Sequence, residues 1–223
     1  MELWLDTIDI NPIKDAFETG VLSGVTSNPS ILSQADCLPE EKLQQILAVQ
    51  DGEVAVQVVA QDFSGMLEQA KRISALDSRL IIKIPVNSVG LKVIAALAEE
   101  EIPTMATAIF DPLQVYLAEL AGAIYAAPYI GKIHEATGDY EPVLSEMIEM
   151  IDKYDFSIQL LAASIHSKEQ VLTCALLGVD AITIPEFVYQ DLMKTHALTD
   201  ASLKKFDDAW RGGRYTSESK LFA

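Results

Sequence analysis

The chain has 223 residues, half of them apolar, enough to bury one substantial core and short for two domains of ordinary size, so a single domain over 1–223 is expected. Thirty-three Asp and Glu against sixteen Lys and Arg leave a formal charge of −17, a field that repels nucleic-acid phosphates and anionic membranes. Two distant cysteines, Cys37 and Cys174, an acidic start at Met1–Asp6 and no apolar run of membrane-spanning length speak against disulfides, zinc and export, and for a reducing, cytoplasmic interior.

Along the chain, eight short runs rich in aliphatic and β-branched residues read as strands: Leu3–Asp6, Val21–Thr26, Val54–Val59, Leu80–Pro85, Pro103–Ile109, Ala123–Tyr129, Ser157–Ser164 and Ala181–Pro185. Each is followed by a candidate helix, most clearly Gly65–Ala75, Val89–Glu100, Gln114–Gly122, Tyr140–Tyr154 and Ser167–Gly178. In the last of these, Ser167 stands where a cap belongs and Gly178 where a helix ends. An amphipathic segment from about Asp200 to Trp210 follows, and then a tail from Arg211 expected to be flexible or to pack on another subunit. Eight βα units in this length predict an α/β fold, a single (β/α)8 TIM barrel with an additional C-terminal helix. The rival, an open doubly wound sheet, usually places a glycine-rich phosphate turn after its first strand, and Asp6-Thr7-Ile8-Asp9-Ile10 has no glycine.

Inward strand positions of a barrel are apolar, so polar residues near strand ends need explaining. Lys83 is the sharpest, inside Leu80-Ile81-Ile82-Lys83-Ile84-Pro85. One reading is a lysine at the strand mouth that reaches solvent or pairs with a carboxylate. The other is an amine whose pKa is lowered by burial, free to attack a carbonyl and form a Schiff base. Asp6, Thr26, Asn28, Gln57, Thr107, Tyr129 and Ser164 end other strands in the same way, and a barrel brings such ends to one face. Singly, each has a structural explanation as a cap, a turn residue or an amphipathic core residue. Together they supply what a Schiff-base amine needs: Asp6 and Tyr129 to move protons, with water held by Gln57 and Thr107.

Several ordered words in this chain resemble the transaldolase family: Leu3-Trp4-Leu5-Asp6-Thr7, Gly24-Val25-Thr26-Ser27-Asn28-Pro29-Ser30, Ile82-Lys83-Ile84-Pro85-Val86, Ala127-Pro128-Tyr129, Leu161-Ala162-Ala163-Ser164 and Thr183-Ile184-Pro185. The resemblance is strongest to its branch of fructose-6-phosphate aldolases and small transaldolases, and runs over nearly the whole chain. It implies a class I aldolase without metal or cofactor, acting on sugars or sugar phosphates as a homo-oligomer, with Lys83 as the Schiff-base lysine. It places Asp6, Thr26 and Asn28 at acid/base and substrate-hydroxyl positions. Gln57 and Tyr129 match the aldolases, where transaldolases generally carry glutamate and phenylalanine. The expected reaction is reversible aldol addition of dihydroxyacetone to an aldehyde such as glyceraldehyde 3-phosphate. Transfer of the three-carbon unit between sugar phosphates is the alternative, and a barrel that binds without catalysing ranks below both.

The chain also departs from the resemblance. Lys132 stands where relatives tend to have arginine, and His166 where they often have arginine or lysine, at positions that help hold a substrate phosphate; Ser164 is expected to bind substrate. Lysine lacks the bidentate fork of arginine. Glu186, just after the eighth strand, disfavours an anion if it points inward. The three histidines, His134, His166 and His196, are not at metal-ligand spacing; His134 and His166 are expected near the barrel mouth and His196 at the surface.

Overall fold

A computed structural model describes residues 1–213. Eight parallel strands, each hydrogen-bonded to its sequence neighbours, close into a barrel through pairing of the first with the last. They are β1 (Glu2–Asp6), β2 (Gly24–Thr26), β3 (Glu53–Gln57), β4 (Leu80–Pro85), β5 (Thr104–Ile109), β6 (Tyr125–Pro128), β7 (Gln159–Ala162) and β8 (Ala181–Ile184). Each predicted run overlaps one strand; β1 and β3 begin one residue before their runs, at Glu2 and Glu53, and β2 keeps only the last three residues of its run. Helices α1 (Ile10–Phe17) and α3 (Pro39–Val49) precede α4 (Phe63–Ser74), α5 (Ser88–Ala98), α6 (Pro112–Ala121), α8 (Glu141–Tyr154) and α9 (Lys168–Leu177) in the outer ring. Short helices α2 (Pro29–Leu32), α7 (Ile130–Thr137) and α10 (Glu186–Leu192) are added directly after β2, β6 and β8. The caps of α9 are as expected: the Ser167 hydroxyl accepts from the Gln170 N–H at 3.3 Å, and Gly178 closes the helix at φ +98°.

Side-chain alternation with period two sorts each strand between two environments. Leu5, Val25, Val54, Ile82, Ala106, Ala126, Leu160 and Ile182 face outward and form the core shared with the helices. Each large member of this set contributes about 1.5–3 kcal/mol by leaving water. Trp4, Ala55, Ile81, Met105, Ala127, Leu161 and Ala181 face inward and fill the barrel. Large and small residues interlock there. A Cβ on Gly24 would lie 2.7 Å from the Trp4 ring, so the indole fits only because β2 carries no side chain at that level. Trp4 meets Tyr125 edge-on at 5.6 Å, and both donate to Glu2 Oε2, at 2.9 and 3.0 Å, at the N-terminal end of the barrel. Two residues above the apolar layer, at the C-terminal end, the same inward series reads Asp6, Thr26, Gln57, Lys83, Thr107, Tyr129 and Thr183.

The chain forms two compact units, Met1–Tyr189 and a second from Gln190 onward. Helix α11 (Ala197–Arg211) lies in the second; His196 Nδ1 caps it by accepting from the Leu198 N–H at 3.1 Å. Leu203, Phe206 and Trp210, at helical spacing on one stripe, are exposed. The tail predicted from Arg211 onward lies, past residue 213, outside the described residues. Among the described residues no helix is long and apolar enough to cross a membrane.

Candidate active site

A cavity of about 570 Å³ opens at the C-terminal end of the barrel, the end where (β/α)8 folds carry their chemistry. Asp6, Asn28, Gln57, Lys83, Tyr129, Lys132, Ser164 and His166 all line it, so residues predicted from six different strand ends meet in one place. Thr26 and Thr107 do not line it: both are fully buried and act on lining residues from behind. Glu186 is not among the lining residues either. His134 sits on the exposed side of α7, edge-on to Tyr140 at 5.9 Å.

Lys83 is 3 % exposed and forms no ion pair among the described residues; its Nζ donates to the Ser27 carbonyl at 3.0 Å. Burial pushes its pKa below the ordinary lysine value, opposed by the negative charge of Asp6. An amine that loses its proton under these conditions can give one N–H to the Ser27 carbonyl and still keep a nucleophilic lone pair.

Asp6 is oriented by a chain of hydroxyls. Thr26 Oγ1 donates to Asp6 Oδ1 at 2.6 Å, and Thr26 Oγ1 and Thr183 Oγ1 are 2.7 Å apart. Since Thr26 has one hydroxyl proton and gives it to the carboxylate, Thr183 donates to Thr26. Thr183 lines the cavity, is 2 % exposed, and was not singled out from the sequence as a site residue. Its signal was the period-two series Ala181, Thr183, Pro185 on the last strand.

Across the cavity, Thr107 Oγ1 donates to Tyr129 Oη at 3.1 Å. A bulge between Thr107 and Ile109, with Ala108 at φ +57°, shifts the β5 register at this point. The Phe110 ring stands edge-on to Tyr129 at 5.7 Å. Asn28 is both a cap and a wall: its Oδ1 accepts from Ser30 and Ile31 N–H groups at 3.0 and 3.1 Å, while the residue lines the cavity.

Lys132, Ser164 and His166 line the cavity on the side of β6 and β7. Lys132 is held by Glu135 at 2.8 Å, and this contact keeps the Glu135 carboxyl below the usual carboxylate range. Ser164, at φ +59°, places its hydroxyl 3.4 Å from His166 Nε2. Gly131 makes that approach possible: a Cβ there would lie 2.5 Å from His166 Nε2 and 2.6 Å from the Ser164 carbonyl. Among the described residues no group of three or more His, Cys, Asp or Glu is arranged to hold a metal ion.

Comparison with known proteins agrees with the barrel. The family model described as transaldolase/fructose-6-phosphate aldolase matches residues 3–214. A protein called probable transaldolase from Coprothermobacter proteolyticus is 39% identical over 94% of this chain and 96% of its own length. Another of the same description, from Geotalea uraniireducens, is 36% identical over 94% of this chain and 98% of its own. Among solved structures, a thiamine phosphate pyrophosphorylase from Pyrococcus furiosus superposes with a TM-score of 0.58 at 15% identity, covering 82% of this chain and 85% of that one, a likeness of fold alone. With nearly its whole length matched by one family and by curated relatives, this chain belongs to the transaldolase/fructose-6-phosphate aldolase family.

Proposed function

We propose that this protein is a class I aldolase of the fructose-6-phosphate aldolase type, joining dihydroxyacetone reversibly to an aldehyde such as glyceraldehyde 3-phosphate. The observation that carries the reading is the buried Lys83, its pKa lowered by burial, in one cavity with Asp6 and Tyr129, which can carry protons.

In the cleavage direction, the Lys83 lone pair adds to the ketose C2 carbonyl, and protonation of the resulting hydroxyl releases water and leaves an iminium. A base takes the proton from the C4 hydroxyl; the C3–C4 bond breaks, its electrons move into the iminium as an enamine, and the aldehyde departs. Protonation at C3 and addition of water return dihydroxyacetone and the free amine. Asp6, held by Thr26, and Tyr129, supported by Thr107, carry these protons, with the Gln57 amide positioning water. Asn28 meets substrate hydroxyls, and Lys132, Ser164 and His166 meet a phosphate where the substrate has one.

Transfer of the same three-carbon unit to a second aldose phosphate is favoured by one specific finding, the description of the matched relatives as probable transaldolases. The two readings part at the enamine. An aldolase releases it as dihydroxyacetone, whereas a transaldolase holds it for the next aldehyde. Supplying fructose 6-phosphate with and without erythrose 4-phosphate, and measuring free dihydroxyacetone against sedoheptulose 7-phosphate, separates them; release without acceptor is expected. Borohydride reduction in the presence of dihydroxyacetone should add the three-carbon unit to Lys83, and an unlabelled, folded protein would sink the Schiff-base reading.

A further inference from the structure

Beside the first cavity lies a second, of about 440 Å³, which shares Gln57 and Pro29 with it. This volume falls in the range of ligand sites. Its outer wall is the segment after β3, including Val59 and Ala60; Met66 of α4 forms the floor, and Pro85 and Asn87 after β4 close the far side.

The wall is built rather than left loose. Gln69 Oε1 accepts from the N–H groups of both Val59 and Ala60 at 2.9 Å, and Met66 is 3 % exposed. Asn87 Oδ1 accepts from Val89 and Gly90 N–H groups at 3.0 and 2.8 Å, which fixes the carboxamide and leaves its NH₂ as a donor. Gln57, whose backbone is in register with Lys83 on the neighbouring strand, stands in both cavities, and its amide forms no hydrogen bond among the described residues.

The two sides of Gln57 differ in charge. Lys132 and His166 are on the first cavity's wall, whereas no lining residue of the second is ionisable. An anionic end is held on the first side and gains nothing on the second. Uncharged hydroxyls find the Gln57 and Asn87 amides on the second side, and carbon finds Val59, Met66 and Pro85. A hydroxymethine unit occupies a volume close to the ~30 Å³ share of a water molecule, so several fit.

We infer that the second cavity takes the uncharged, hydroxyl-bearing tail of a long aldose acceptor, with Gln57 as the wall and hydrogen-bonding partner shared between tail and reaction centre. The inference rests on the aldolase reading above. It makes unphosphorylated pentoses and hexoses, joined to dihydroxyacetone, a substrate class of this site.

The test compares kcat/KM for glyceraldehyde and for an aldopentose, with dihydroxyacetone as donor, in the unaltered protein and in Val59→Trp. Val59 lines the second cavity and is 63% exposed, so a larger side chain there can reach that space without entering the core. Comparing one acceptor between two proteins cancels the fraction of sugar closed in a ring. A tenfold or greater loss with the aldopentose, and less than twofold with glyceraldehyde, is expected; Val59→Arg, filling the same space, should act alike. Equal losses on both acceptors, no loss on either, or failure of the unaltered protein to use any aldopentose while it uses glyceraldehyde would overturn the inference. Absence of both glyceraldehyde turnover and a borohydride adduct at Lys83 would instead remove the aldolase reading, and this inference with it.

Discussion

The Thr107 hydroxyl donates to the Tyr129 phenol oxygen at 3.1 Å. Because that bond uses a phenol lone pair, the phenol proton remains available to water or substrate. Replacing Tyr129 with Phe removes the phenol proton and also leaves the fully buried Thr107 hydroxyl without its acceptor. Activity should fall by about 10²–10⁴ in kcat, with a loss of stability of about 1 kcal/mol from the orphaned hydroxyl. Steady-state kinetics and a denaturant titration measure the two effects, and undiminished aldol cleavage would show that the phenol has no proton to carry.

Lys83 destabilises the protein it serves. Its folded pKa lies below the ordinary 10.5, so between these values the folded chain binds fewer protons than the unfolded chain, and stability rises with pH across that interval. Below the interval the whole penalty is present. Lys83→Met, apolar and similar in length, should therefore be inactive yet melt higher than the unaltered protein at neutral pH. A gain of about 1 kcal/mol would raise Tm by about 2–4 °C in a chain of this size. The difference should shrink as the pH is raised toward 10.5, which a series of thermal melts would follow.

Gly131 sits inside α7, where alanine ordinarily gains about 1 kcal/mol in helix propensity. Here the gain is outweighed, because the new Cβ would lie 2.6 Å from the Ser164 carbonyl, a backbone atom that also accepts the Gly131 N–H at 2.9 Å. Forcing such an overlap costs about 1–3 kcal/mol and moves His166 and Ser164 together. Gly131→Ala should be less stable and should lose more kcat/KM with phosphorylated than with unphosphorylated acceptors. Paired kinetics on glyceraldehyde and glyceraldehyde 3-phosphate would show the split.

At the opposite end of the barrel, burial and then the charge of Glu2 raise the Glu53 carboxyl above its usual pKa. The folded state thus holds a proton that the unfolded state has already lost, and stability falls as the pH rises through that interval. Glu53→Gln should melt higher at pH 7, with the advantage gone near about pH 3, where both states are protonated. Activity should not change, since Glu53 lies at the far end from the cavity.

Much of this was legible in the sequence because it broke a pattern. A lysine inside an apolar run, and polar residues recurring at strand ends, stand out against the alternation that a barrel requires. Helices with strong terminal signals, such as α9 between Ser167 and Gly178, were placed within a residue. What escaped notice had no local signature. Thr183 looks like any strand threonine, and becomes a partner of Thr26 only when β8 returns to β1 across a separation of 157 residues. The left-handed Ala108 escaped as well, since alanine is not a residue that announces positive φ. Helices α2 and α7 span four and eight residues, too short for periodicity to be read with assurance.

The seam between β1 and β8 also ties the site to the timing of synthesis. Asp6 is synthesised well before Thr183, on which the hydroxyl chain that orients it ends, so its surroundings stay incomplete until nearly the whole barrel has been made. Closing a loop of that span is slow compared with forming the local helix–strand contacts. Appearance of aldolase activity in a refolding experiment should therefore lag behind the recovery of helix. In this barrel, catalysis reports that the ring has closed, and the earlier, open intermediates should be chemically silent.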